Sequence, residues 1–131
     1  MHAQLVSVPM SPGEALDRLS IFEVKLTKIP FEDARHAVVQ TQLAILRSSL
    51  DRFLADTRCA AVYGNMVGVN ARLWDVEDSV RDATRKGDDK AFAKYARLVP
   101  KLNGERSNLK TRLDEIVGCD LAEVKLYSAD V

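Results

Sequence analysis

Val69-Asn-Ala-Arg-Leu-Trp-Asp-Val-Glu-Asp-Ser-Val-Arg81 decides the fold class. Val69, Leu73, Val76 and Val80 recur at steps of four, three and four, the spacing that lines one face of an α-helix. Met66 and Val62 extend the series backward and Ala83 closes it forward, so the stretch is the most regular helix in the chain. One residue round from the stripe, Asn70, Trp74, Glu77 and Arg81 form a second row with the same stepping. The only tryptophan thus sits in a polar row beside an apolar seam.

Gly64 and Gly68 stand four apart in the first half of this segment, where each costs about 1 kcal/mol relative to Ala in a helix. Two readings stay open: the pair permits close backbone approach to another helix, or Thr57 to Gly68 is a loop. Downstream, Lys86-Gly87-Asp88-Asp89 reads as a helix stop followed by a new N-cap.

Working toward the N-terminus, a second periodic segment carries Val39, Leu43, Leu46, Leu50 and Phe53, predicting a helix from near Glu32 to about Asp56. Before it, Ser11-Pro12-Gly13-Glu14 forms a capping box: a Ser cap, Pro at the first helical position and Glu three residues after the cap. A helix therefore starts at Pro12, runs through Ala15, Leu19, Phe22, Leu26 and Ile29, and stops at Pro30. The short joint makes it an antiparallel neighbour of the next helix.

Toward the C-terminus, Phe92, Tyr95, Val99, Leu102, Arg106, Leu109, Leu113 and Ile116 define a fourth helical seam, which Pro100 should kink or restart. Gly118 ends it. Gln4 to Val8 and Glu123 to Tyr127 alternate like short strands and are expected to pair. The fold expected is mainly α, an antiparallel bundle of about four helices over a single domain of residues 1–131, with a short terminal strand pair.

Composition narrows the function classes. Lys and Arg total 19 and so do Asp and Glu, so no global field draws the chain to nucleic acid or an anionic membrane. No run approaches the about eighteen apolar residues of a membrane span, and the N-terminal segment lacks the regions of a signal peptide. A cytoplasmic protein is expected. Cys59 and Cys119 have neither CxxC spacing nor a nearby His, so both read as reduced thiols. There is no glycine-rich phosphate loop and no Cys/His spacing for zinc, and the two histidines, His2 and His36, give a catalytic triad little to work with. No cofactor and no metal are expected.

One seam position is an arginine. A buried charge left unpaired costs on the order of 3–5 kcal/mol, so Arg106 needs a carboxylate, and Glu77 is the candidate because it can accept the guanidinium's forked donors. Asn103, Arg106 and Lys110 share one face of the fourth helix. The expected ligand-binding set is therefore Asn70, Trp74, Glu77, Arg81, Asn103, Arg106 and Lys110.

SPGEALDRLSIFEVKLTKI, VNARLWDVEDSVR and RLVPKLNGERSNLKTRLDEI, with the closing EVKLYS, together resemble a family of small helical bacterial proteins of unknown function. The likeness covers most of the chain and is weakest between Pro30 and Gly68. It implies a cytoplasmic helical domain, with an association to bacterial surface-glycan gene neighbourhoods. Members of that family typically carry Lys in place of Arg18 and an acidic residue in place of Gly104.

Three functions compete. The first is a binding or assembly module that recognises a small carboxylate or phosphate ligand through Arg81, Arg106 and Lys110, or that forms a homodimer. The second is a metal-independent enzyme in the style of helical chorismate mutases, with an Arg and Lys cage around an anionic substrate. The third is a magnesium-dependent nucleotide pyrophosphohydrolase using Glu77 with Asp78 and Glu14 with Asp17, although its double ExxE motif is missing.

Overall fold

The computed structural model describes residues 4–119, and these are mainly helical. Five helices follow one another: α1 (Pro12–Lys28), α2 (Ala34–Leu54), α3 (Thr57–Lys86), α4 (Asp89–Ala96) and α5 (Leu98–Val117).

The helix starts follow from local chemistry. The Ser11 hydroxyl accepts from the Glu14 amide at 3.1 Å, with Pro12 at the first helical position. Asp33 and Asp56 cap α2 and α3 in the same way as each other. Each accepts from the backbone amide two residues on, at 2.9 Å, and each is clasped by that residue's guanidinium, Arg35 or Arg58. Both carboxyls are held well below the usual range, at about 2, chiefly by these arginine side chains. Gly87 and Gly118 end α3 and α5 with φ of 65° and 76°, which only glycine adopts without strain.

The regular seam of α3 extends further back than its valines. The helix is unbroken from Thr57, so the loop reading of Thr57 to Gly68 is wrong. Close backbone approach is wrong as well, because a Cβ at Gly64 or Gly68 would meet nothing within 4 Å. The site of close approach is Gly13, where a Cβ would collide with the Lys110 carbonyl oxygen and lie 2.9 Å from Asp114 Oδ1. Asp114 Oδ1 also accepts the Gly13 amide at 2.7 Å.

In α1 the buried face is Gly13, Leu16, Asp17, Leu19, Ser20 and Val24, rotated from the expected Ala15, Leu19, Phe22, Leu26, Ile29 stripe. The cause is that contact at Gly13, which turns the polar residues Asp17 and Ser20 inward. The fourth seam breaks at Arg97, just before Pro100, into α4 and α5. Helix α4 buries no residue, so Phe92 and Tyr95 are not core, whereas Leu102 and Leu113 are fully buried with Arg106 between them. Residues 4–10 form no strand and expose Leu5, Val6 and Val8. Their expected partner, Glu123 to Tyr127, lies outside the described residues.

The core joins Leu16 and Leu19 of α1, Leu50 of α2, Cys59, Tyr63 and Met66 of α3 and Leu113 of α5. Cross-helix pairs order these elements. Along α1, Gly13, Glu14 and Asp17 meet Asp114, Lys110 and Arg106, so rising numbers on α1 meet falling numbers on α5. On α3 the order is the same as on α1: Asp17 and Ser20 meet Asn70, and Lys28 meets Asp75 at 2.7 Å. Glu23 pairs with Arg47 of α2. No helix among the described residues is long and apolar enough to cross a membrane.

Candidate functional site

Asp17 is the residue that organises the site. It is 1 % exposed, and its carboxylate accepts from Arg106 Nε at 2.8 Å through one oxygen and from Arg106 Nη2 at 2.6 Å through the other. This is the forked geometry in which a guanidinium and a carboxylate pair best. Asn70 Nδ2 adds a bond to Asp17 Oδ1 at 3.0 Å and another to the Ser20 hydroxyl at 2.7 Å. Ser20 in turn donates to the Asp17 carbonyl at 2.6 Å. A carboxylate taken out of water thus receives three charge-compensating or neutral donors, the condition under which such burial is tolerated.

Arg106 is therefore paired, but with Asp17 and not with Glu77. The helix faces explain the difference. Glu77 lies two turns beyond Asn70 on α3 and is exposed, whereas the inward rotation of α1 brings Asp17 between Asn70 and Arg106. Hydrogen bonding to Asp17 is the largest effect on the guanidinium and raises its pKa above the ordinary value, against the opposing pull of desolvation, with small contributions from the charges of Glu14 and Glu77.

Above this network Asn70, Trp74, Glu77 and Arg106 line a cleft of about 180 Å³ whose apolar wall is Ile21, Val24 and Leu73. The Arg106 side chain remains 28 % exposed there, and neither its Nη1 nor Glu77 takes a hydrogen bond among the described residues. The cleft so presents a fixed donor, a carboxylate acceptor and an indole side by side. Four of the seven expected site residues converge on it.

The other three do not. Lys110, one turn along α5 from Arg106, pairs with Glu14 at 2.5 Å. Arg81 pairs with Asp78 and lines a separate cavity of about 640 Å³ at the α3–α4 corner. Asn103 is exposed and lines neither. The cations Arg81, Arg106 and Lys110 consequently form no common cage, and each is matched by its own carboxylate. The acids nominated for magnesium are dispersed too, Asp17 on Arg106 and Glu14 on Lys110, and no group of three or more metal-ligating side chains occurs among the described residues.

Sequence reasoning named Asp17 only as a possible magnesium ligand beside Glu14 and passed over Ser20. The signal was present: Gly13, Asp17, Ser20 and Val24 step by four, three and four, so a carboxylate lies on a helical seam just as Arg106 does.

These features define a helical scaffold carrying a buried carboxylate–guanidinium network beneath a small cleft. Comparison with protein-family models, with curated proteins and with solved structures yields no match for the chain, so the functional reading rests on this geometry.

Proposed function

We propose that the chain is a binding module, an antiparallel helical bundle whose ligand seats in the cleft between α1, α3 and α5. The observation that carries this reading is the convergence of Asn70, Trp74, Glu77 and Arg106 on one concavity, with Arg106 fixed from behind by Asp17. A side chain locked before the ligand arrives loses little entropy on binding, and that is what a recognition site needs. The opposing order of pairs along α1 and α5 supports the antiparallel arrangement. The blocks that carry the resemblance to small bacterial helical proteins are the ones that build this cleft. A cytoplasmic setting suits the free thiols Cys59 and Cys119.

The ligand is a small polar molecule that brings a carboxylate or phosphate to the outer edge of Arg106 and a hydroxyl or ammonium donor to Glu77, with its less polar side on Trp74. The Asp17 charge neutralises Arg106 at long range, so recognition is by directed hydrogen bonds more than by net field. Trp74 fluorescence tests this during titration with a sugar phosphate, the parent neutral sugar and inorganic phosphate. Saturable quenching is expected with the sugar phosphate, weaker quenching with each part alone, and loss of the response in Arg106→Gln but not in the remote Lys101→Gln. No response to any of the three at millimolar concentration sinks the reading.

A further inference from the structure

Helices α1 and α2 meet at the Ile29–Pro30 joint, and cations converge on it from both sides. Lys25 and Lys28 stand in the last turn of α1, where the negative end of the helix dipole favours a positive side chain. Arg35 stands in the first turn of α2, where the dipole opposes one. Together they line a cavity of about 490 Å³ whose apolar wall includes Trp74 of α3 with Ile29, Val38 and Val39. No acidic residue belongs to that lining. Val38, apolar and 57 % exposed, has its place in this wall. The volume lies within the roughly 300–1,000 Å³ of small-molecule sites, and a mainly apolar lining with a few placed polar groups is their usual make-up.

The charge pattern selects the occupant. Lys25 pairs with no carboxylate among the described residues, and its ammonium lies 4.9 Å over the Phe22 ring. Lys28 gives one N–H to Asp75 at 2.7 Å and keeps the others. Arg35 spends Nε and Nη2 on Asp33 and keeps Nη1. Set against Asp75 and Asp33, the three cations leave one positive charge over, with donors to spare on each. We propose that this cavity binds a small soluble amphipathic anion. Lys25, Lys28 and Arg35 bond its carboxylate or phosphate, and its apolar body lies against Trp74, Val38 and Val39. The anionic end gains charge-assisted hydrogen bonds and the body gains by leaving water, so neither a hydrophilic anion nor a neutral apolar molecule takes both. Trp74 also borders the cleft at Arg106, but Lys25, Lys28, Arg35 and Val38 line no part of that cleft. This site and the ligand reading of the cleft therefore stand or fall separately.

Nitrogen–proton NMR of the full chain reads the site through the amides of Val38 and Val39 and the indole N–H of Trp74, the one tryptophan. The probes are phenylacetate, phenylacetamide and acetate, which separate the whole ligand from its apolar body and its anionic end. Saturable shifts at all three positions are expected with phenylacetate, and affinity weaker by roughly tenfold or more with each of the others. Lys25→Gln combined with Lys28→Gln is expected to weaken phenylacetate binding roughly tenfold or more, and so is Val38→Asp alone, which sets a carboxylate in the wall. Lys101→Gln, outside the lining, is expected to bind as the wild type does. Unchanged far-ultraviolet circular dichroism confirms folded variants. Co-sedimentation with phosphatidylglycerol vesicles distinguishes a lipid headgroup from a free anion. Four results overturn the proposal: no shift at Val38 and Val39 with millimolar phenylacetate, shifts confined to Trp74, undiminished affinity in both cavity variants, or capture by the vesicles in place of phenylacetate binding.

Discussion

Removing the Asp17 carboxylate strikes at the network that joins α1, α3 and α5. Asp17→Ala deletes the acceptor of both Arg106 bonds and of one Asn70 bond, at a position 1 % exposed where water cannot replace it. Breaking a buried ion pair from one side costs about 3–5 kcal/mol. Arg106 keeps 28 % of its side-chain surface and can recover some hydration, and Asn70 keeps Ser20, so the lower end, about 3 kcal/mol, applies. That is a large share of the roughly 5–15 kcal/mol that stabilises an ordinary domain. Urea unfolding followed by circular dichroism and Trp74 fluorescence, at one protein concentration, should show the midpoint falling by about 1–2 M. In contrast Glu77→Ala should stay within about 0.5 kcal/mol of wild type, since Glu77 is exposed and holds no bond among the described residues. The paired replacement Asp17→Leu with Arg106→Met should cost far less than the two single losses added together, because neither charge is then stranded. If Asp17→Ala unfolds at the wild-type midpoint, or Glu77→Ala loses as much, the buried network is not what fastens α1 to α5.

Two further perturbations separate local from tertiary effects. Gly13→Ala should destabilise by about 3 kcal/mol or more, because its Cβ must displace the α5 backbone at Lys110, while Gly64→Ala should stabilise by about 1 kcal/mol, having open space and a helical backbone; thermal melts of the two variants decide it. In acid, Asp33 and Asp56 have folded-state pKa values near 2, below their ordinary 3.8. Their contribution is present above the ordinary value and is lost as the pH falls through about 2. Carboxyl carbon shifts followed by NMR should titrate near 2 at these two positions, and midpoints at the ordinary aspartate value would contradict the Asp-to-Arg clasp.

What could be read in the amino acids was whatever depends on near neighbours. Ser11 to Glu14 carries its cap within four residues, Gly87 and Gly118 announce helix ends by their own backbone freedom, and Arg106 betrays its burial by lying between Leu102 and Leu113. The Asp33 and Asp56 caps were equally local, each an Asp followed two residues later by Arg, and were legible in principle. The partner of Arg106 was not, because the choice between Glu77 and Asp17 turns on how far α1 is rotated about its axis. That rotation is set by one missing side chain, at Gly13, against the backbone of a helix about a hundred residues away. The stepping of Ala15, Leu19, Phe22 and Leu26 was more apolar than that of Gly13, Asp17, Ser20 and Val24, and hydrophobicity alone favoured the wrong face. Likewise α2 showed its inner stripe plainly, and Val38 beside it took on meaning only when the end of α1 and Trp74 were found to share its cavity.

The pairing of Asp17 with Arg106 spans 89 residues, and this imposes an order on the making of the molecule. During synthesis α1 leaves the ribosome long before α5 exists. Until then any collapse of α1 onto α2 and α3 would trap a carboxylate with only Asn70 to answer it, which its desolvation cost discourages. The Asp17 face of α1 is therefore expected to keep its water until α5 can supply Arg106. A fragment ending before Arg106 lacks more than one helix: it lacks the charge that permits the other helices to close.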